Sequence, residues 1–167
     1  MDATTEGEFT RFVADRTPAL LRVAHALTGD QHAAEDLVQN ALAKAMLRWR
    51  HINDHPEAYV RRILYHDHIS GWRRRRRRPE TPMADLPEAA GGDGTDAAHT
   101  RMLLRAALLE LPPRQRAVIV LRYLDDRSER EVAEILGCTE GTVASQASRA
   151  LTKLRALVPT QWTEAWR

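Results

Sequence analysis

Two helices joined by a tight turn are encoded in RSEREVAEILGCTEGTVASQASRALTKL, residues 127–154. Ser128 and Glu131 stand three residues apart, which is the spacing of a capping box, so a helix is predicted to begin here. Gly137 favours the left-handed conformation that ends a helix, and Thr139 can cap the helix that follows. The pattern predicts a helix-turn-helix.

The second of these helices has one apolar face and one polar face. An apolar stripe at helical spacing is expected to be buried: Val143, Ala147, Ala150, Leu151 and Leu154. The polar face carries Thr142, Ser145, Gln146, Arg149 and Lys153. In a helix-turn-helix the second helix enters the major groove, where Gln146 can bond an adenine edge and Arg149 a guanine or a phosphate. The plainer alternative is a helical hairpin with a solvated polar face.

Charge is distributed unevenly along the 167 residues, although the formal net charge is only +2. Residues 1–78 hold 14 basic and 10 acidic side chains, and residues 101–167 hold 11 and 8. Between them, residues 79–100 hold 5 acidic side chains, no basic one, and several prolines and glycines. We therefore expect two basic bodies joined by an acidic linker that is extended or disordered, with a short tail over residues 159–167.

The first body is expected to hold three to four helices. A helical segment should stop before Thr17, which with Pro18 caps and restarts a helix that ends at Gly29. The next helix is expected from Gln31 to about Trp49, with the side chains from Ala34 to Met46 at helical spacing on its inward side. A third helix should begin at His55-Pro56. No strand-like alternation occurs, so the predicted fold is all-α.

The second body is expected to hold four helices, of which the helix-turn-helix supplies the last two. Helical spacing resumes at Arg101 and is interrupted by Pro112-Pro113. A helix is then predicted over residues 114–124, with four core residues: Val118, Ile119, Leu121 and Tyr123.

Three stretches resemble bacterial sigma factors of the sigma-70 family. GDQHAAEDLVQNALAKAMLRW, residues 29–49, is similar to the helix that binds core RNA polymerase. PEAYVRRILYHDHISGWRRRR, residues 56–76, resembles the helix that melts and reads the minus-10 element. The segment from Leu111 to Arg155 resembles the region that reads the minus-35 element. The order and the two-domain length resemble extracytoplasmic-function (ECF, group IV) sigma factors, and GTVASQASRAL, from Gly141, resembles their SigE-like actinobacterial branch.

The resemblance implies a sigma2-like body, a linker and a sigma4-like body. The expected partners are core RNA polymerase, through its beta-prime clamp and beta flap, and promoter DNA at two elements. An anti-sigma factor is a further partner that the resemblance allows. The chain is expected to be a monomer when free and to catalyse nothing itself, because the polymerase carries the metal and nucleotide chemistry.

The resemblance also assigns roles to individual positions. The polymerase-binding residues are expected to be Asp36, Leu37, Val38 and Gln39. The minus-10 side is expected to use His51, Asn53, Arg61, Arg62, His66, Arg73 and Arg74. The minus-35 side is expected to use Arg127, Ser128, Glu140, Thr142, Ser145, Gln146, Arg149 and Lys153. Two positions depart from the family, since His66 stands where asparagine is common and Ala144 where lysine is common.

The same sequence argues against other kinds of protein. A single cysteine, Cys138, excludes an internal disulfide and a multi-cysteine zinc site, and no cofactor or metal is expected. Asp2, Glu6 and Glu8 interrupt any signal-peptide pattern, and the aliphatic runs are too short to span a bilayer. A cytoplasmic protein without membrane contact is expected.

Three alternatives stay open on the sequence alone. A stand-alone helix-turn-helix regulator would bind duplex DNA without core polymerase, and Asp36 with Gln39 and the segment over residues 51–73 argue against it. An adaptor or inactive sigma paralogue is favoured only by the departures at His66 and Ala144. An enzyme is disfavoured, because no Gly-rich phosphate loop, nucleophile constellation or metal-ligand spacing occurs.

Overall fold

The structure, a computed structural model, describes residues 2–52, 55–77 and 96–159. Within these ranges the chain forms helices and no strand, which confirms the predicted all-α fold. The helices are α1 (Ala3–Thr28), α2 (Gln31–Arg48), α3 (Pro56–Arg77), α4 (Asp96–Leu109), α5 (Pro113–Ile119), α6 (Glu129–Leu136) and α7 (Glu140–Leu157). A 3₁₀ turn, Trp49–His51, follows α2, and a π turn, Val120–Leu124, follows α5. None of the described helices combines the length and apolarity that crossing a bilayer requires.

Local capping residues fix the junction between α1 and α2. Gly29 ends α1 in the left-handed conformation, with φ of 74°, as its position in the sequence predicts. The Asp30 carboxylate then accepts a hydrogen bond of 2.7 Å from the backbone N–H of Ala33, which caps α2. The predicted start of α2 is therefore confirmed, and α3 begins at Pro56, also as predicted.

The predicted break at Thr17-Pro18 is wrong, because α1 continues through Pro18 without interruption. Proline inside a helix costs about 3 kcal/mol, so packing must offset it. Phe12 lies before the proline and Leu20 after it, and both pack into the same core. The Thr17 hydroxyl donates to the carbonyl of Val13 at 2.6 Å instead of capping a new helix.

The helix-turn-helix forms as predicted from its caps. The Ser128 hydroxyl accepts from the backbone N–H of Glu131, and the Glu131 carboxylate accepts from the backbone N–H of Ser128, which completes the capping box. Gly137 ends α6 with φ of 65°, and the Thr139 hydroxyl accepts from the backbone N–H of Thr142 at 3.1 Å to cap α7.

The helix predicted over residues 114–124 changes character at Val120. The N–H of Asp125 bonds the carbonyl of Val120, five residues back, at 3.0 Å, which is π-helical pairing. Tyr123, within this turn, is 59% exposed, so its predicted place in the core is wrong. Two boundaries also differ: α4 begins at Asp96 rather than Arg101, and Met46 is 43% exposed rather than inward.

The two bodies pack directly against each other. Helix α3 lies on α6, while α1 contacts α4, α5 and the π turn. One cluster of buried side chains runs through both bodies, from Leu20 and Val60 to Val118 and Val132. Residues 79–95 of the predicted linker and residues 160–167 of the predicted tail lie outside the described part of the chain.

Replacing each of two glycines with alanine distinguishes the effect of backbone strain on stability from the effect of helix propensity. Gly137→Ala should destabilise the fold by about 1–2 kcal/mol, because its φ of 65° is unfavourable for alanine although a new Cβ would meet nothing within 4 Å. Gly141→Ala, in the first turn of α7, should instead stabilise the fold by about 0.5 kcal/mol. Urea unfolding of both variants measures the difference, and equal signs for the two changes would contradict the assignment.

Candidate nucleic-acid interface

Helix α7 presents the polar face that the sequence predicted. Val143, Ala147, Ala150 and Leu154 are buried, so the helix is fixed by its apolar side. Ser145, Arg149 and Lys153 are exposed, and Thr142 and Gln146 are half-buried. The Ser145 hydroxyl donates to the carbonyl of Thr142 at 3.0 Å, and Glu140 is exposed in the first turn. Gln146, Arg149 and Lys153 therefore offer an amide and two cations along one face.

Arg127, just before α6, is held in an ion cluster. Its guanidinium pairs with Asp125 at 3.0 Å, Glu57 at 3.0 Å and Glu131 at 3.3 Å. Burial opposes its charge, but these carboxylates outweigh that effect and raise the pKa of Arg127. Arg127 is thus engaged with protein carboxylates in this arrangement, whereas Ser128 beside it is exposed.

Helix α2 divides the four predicted polymerase-binding residues between surface and core. Asp36 and Gln39 are exposed on its outward side. Val38 is buried, and Leu37 is half-buried against the same core. Of the four, Asp36 and Gln39 are therefore open to a partner, and contact with polymerase stays a prediction.

Arg61 differs most from its predicted position on an open DNA-facing surface, since only 2% of it is exposed. Its Nε donates to Oδ2 of Asp125 at 2.6 Å and its Nη2 to Oδ1 at 2.8 Å, which is a bidentate pair between the two bodies. Its Nη1 forms an ion pair with Glu57, one turn earlier on α3. Its burial could not be expected from the sequence, because the packing of α6 and the π turn over α3 is not visible in local sequence, and its contact with DNA stays a prediction.

The other predicted minus-10 residues remain at the surface. His66, Arg73 and Arg74 are exposed along α3, and His51 is exposed in the 3₁₀ turn. Arg62 is exposed as well, although its Nη2 donates to the carbonyl of Glu134 in the other body at 3.2 Å. Asn53 lies outside the described residues, as does Arg78, the last of the six consecutive arginines.

His68 is a buried residue that the sequence analysis did not single out. It is 4% exposed, and its burial, followed by the nearby charges of Arg116 and Arg75, lowers its pKa to about 4. The helical spacing of Val60, Leu64 and His68 was the signal that this side of α3 faces a core. No group of three or more metal-ligating side chains occurs in the described ranges.

Two known families match the sequence. Sigma-70 region 2 matches residues 12–78, which extend from within α1 to the end of α3. Sigma-70, region 4 matches residues 101–154, which include the helix-turn-helix. The two matches occur in the order that the resemblance predicted.

Several proteins are similar over most of their length. An RNA polymerase sigma-E factor of Streptomyces coelicolor is 41% identical over 150 residues, covering 89% of this chain and 84% of that protein. The ECF RNA polymerase sigma factor SigL of Mycobacterium tuberculosis is 34% identical, covering 92% and 90%. Among solved structures, the sigma factor RpoE of Bartonella quintana, in complex with the anti-sigma factor NepR, has a TM-score of 0.72 at 28% identity and covers 90% of this chain and 96% of that one.

The buried imidazole predicts a pH dependence of stability. Because the folded state lowers the pKa of His68 from 6.5 to about 4, the unfolded chain binds the extra proton and stability falls as the pH drops from 6.5 to 4. The loss should be on the order of 3 kcal/mol. His68→Gln should flatten this slope in urea unfolding at a series of pH values. His66→Gln, at an exposed position on the same helix, should keep it; equal slopes in both variants would contradict the assignment.

Proposed function

Because the chain belongs to the extracytoplasmic-function (ECF) RNA polymerase sigma factors of the sigma-70 family, we propose how its separate surfaces share the work of promoter-specific initiation. Sigma factors bind core RNA polymerase and direct it to promoters, and this is the function of the chain. They are regulatory subunits rather than enzymes. The partners proposed here are therefore core polymerase and promoter DNA, in the compartment where both occur, the cytoplasm.

The polymerase-binding surface is proposed to be the outward side of α2. Asp36 and Gln39 are three residues apart and both exposed, so they can form hydrogen bonds to one partner helix. Val38, in contrast, anchors α2 from inside. The partner is the beta-prime clamp of core polymerase, and the beta flap is proposed to receive the second body.

The minus-35 element is proposed to be read by α7. The observation that carries this assignment is its open polar face: Gln146 can accept and donate to one adenine edge, and Arg149 can bond a guanine or a phosphate. Lys153, near the end of the helix, adds phosphate contact without sequence information. Ser128 and the first turn of α6 are proposed to approach the DNA backbone.

The minus-10 element is proposed to be met by α3 and the 3₁₀ turn before it. His51, Arg62 and His66 offer hydrogen bonds to unpaired bases, while the run from Arg73 neutralises phosphates. Unpairing a base costs a few kcal/mol, so these contacts must offset that free energy during melting. His66 occupies the position where an asparagine is common, and it is proposed to change the base preference there.

A stand-alone DNA-binding regulator is the rival function, and the match to sigma-70 region 2 over residues 12–78 disfavours it. Purified chain mixed with core RNA polymerase, followed by transcription from a fragmented genomic library, separates the two functions. Tight binding with discrete start sites is the expected result. Retained affinity for duplex DNA without binding to core polymerase would favour the regulator.

Replacing Asp36 and Gln39 with alanine together should weaken binding to core polymerase by about tenfold or more, because each loses a hydrogen-bonding group at the proposed interface. Fluorescence anisotropy with labelled core enzyme measures the affinity, and circular dichroism checks that the helices persist. Asp15→Ala, which removes an exposed acid from α1, is the matched control. An unchanged affinity in the double variant would remove this surface from the proposal.

Gln146→Ala should relax discrimination at one base pair of the upstream element by about 1–3 kcal/mol, the value of a good bidentate base contact. Transcription from promoters that carry each base substitution measures the effect. Ser148→Ala, an exposed position on another side of α7, serves as the control and should keep the preference of the unmodified chain. Identical promoter profiles for the two variants would reject Gln146 as a base-reading residue.

A further inference from the structure

We propose that Trp72 is a positioning residue, which holds the guanidinium of Arg76 in place to bind a phosphate of promoter DNA. The inference rests on the proposed function, because it concerns the helix that is proposed to meet the downstream element. It deepens that function by distinguishing Arg76 from the other members of the arginine run, residues 73–78, and by assigning a role to the aromatic side chain one turn before it.

The observation that carries the proposal is a contact between these two side chains near the end of α3. The guanidinium carbon of Arg76 lies over the indole of Trp72, 5.2 Å from the ring centre. Residues four apart on a helix are neighbours on its surface, so the two side chains meet without distorting the backbone. Trp72 is half-buried, whereas Arg76 is exposed, so the guanidinium reaches solvent from a ring that the fold partly encloses.

The other arginines of the run lack this contact. Residues 73–75 and 77 are exposed, and no cation–π contact involves them within the described ranges. Arg75 lies back along the helix, since a Cβ added to Gly71 would be 3.5 Å from its Nη1. Tryptophan is also the aromatic residue that binds a guanidinium best. Arg76 is therefore the described member of the run whose guanidinium has a fixed aromatic neighbour.

A ring holds a guanidinium without occupying its hydrogen-bond donors. The attraction acts on the flat face of the group, so the N–H groups along its edge stay available to a phosphate. Arg61 on the same helix shows the contrast, because its Nε and Nη2 donate to the carboxylate of Asp125. No ion pair involves Arg76 in the part of the chain that the structure describes.

Holding the side chain in advance should strengthen phosphate binding. A free arginine side chain loses rotamer freedom when it binds, and one that is already held loses less. Neighbouring cations in the last turn of α3 also repel one another, so an uncharged partner is suited to keeping Arg76 in one place. The contact with Trp72 therefore favours the conformation in which the guanidinium can meet a phosphate.

The position of Arg76 along α3 suits an anchor beside the base-reading residues. His66 and Arg76 are ten residues apart in one helix, which corresponds to about 15 Å. This length equals about four base-pair steps of a duplex. A phosphate contact at Arg76 carries no sequence information, but it fixes the register in which His66 meets a base.

The affinity for promoter DNA, measured by fluorescence anisotropy in the complex with core RNA polymerase, tests the proposal. Trp72→Leu keeps an apolar side chain but removes the ring, and it should lower the affinity about threefold, the value of an exposed cation–π contact. It keeps every charge, so the slope of log affinity against log salt should not change. Arg76→Ala should lower the affinity further and reduce that slope by about 1.

Combining the substitutions shows whether Trp72 acts through Arg76. In an Arg76→Ala background Trp72→Leu should have no further effect, whereas in an Arg74→Ala background it should again lower the affinity about threefold. Arg74→Ala is the matched control, because it removes an exposed arginine of the same turn that has no cation–π contact in the described ranges. Trp72→Phe keeps an aromatic face and should recover most of the affinity.

A measurement on the unmodified free chain does not depend on how any variant folds. Nitrogen-15 relaxation of the arginine side chains should give a higher order parameter for Nε of Arg76 than for Nε of Arg74. Circular dichroism checks that Trp72→Leu keeps its helical content. If that variant unfolds, the two order parameters decide the question.

Three results would overturn the proposal: equal order parameters for Arg76 and Arg74, an unchanged affinity in folded Trp72→Leu, or the same loss from Trp72→Leu with and without the Arg76 side chain. Failure of the proposed function is distinguishable. In that case the unmodified chain itself would not bind core polymerase, while the order parameters of the free chain would still distinguish Arg76 from Arg74.

Discussion

The bidentate pair between Arg61 and Asp125 is the contact on which the arrangement of the two bodies depends. A guanidinium that is 2% exposed requires a carboxylate, since a buried charge without a partner is strongly unfavourable. The π turn places Asp125 where it can meet Arg61, because its pairing with Val120 adds one residue to the turn. The next residue, Asp126, adopts a left-handed conformation that directs the chain toward α6. A local irregularity in the helix thus sets a contact between bodies.

At the same interface, arginines of α3 bind acceptor groups of the protein, and these acceptors compete with DNA phosphates for the same guanidinium groups. A carboxylate and a phosphate oxygen accept the same charge-assisted hydrogen bonds, so Asp125 and Glu57 occupy the guanidinium of Arg61 as a DNA backbone would. Arg62 is likewise bound to a backbone carbonyl of α6. The basic character of α3 is therefore partly neutralised where the two bodies pack together. Net charge alone does not describe which cations are free to bind DNA.

Features governed by neighbouring residues could be predicted from the sequence. The capping box at Ser128, the left-handed Gly137 and the apolar stripe of α7 each depend on side chains within a few residues, and all formed as expected. The uninterrupted α1 and the buried Arg61 depend on packing between distant segments. Pro18 was misread because local propensity favours a break, whereas Phe12 and Leu20 reach one core. Exposure at the proposed site follows the same division: the polar face of α7 lies at the surface as expected, whereas Arg61 on α3 is buried by the other body.

The buried ion pair contributes to the specificity of the interface more than to its stability. Replacing a buried pair with apolar side chains often increases stability, so the charged pair is not the arrangement that maximises stability. The charged pair therefore specifies how the two bodies pack, whereas the buried apolar cluster that runs through both bodies supplies most of the contact area.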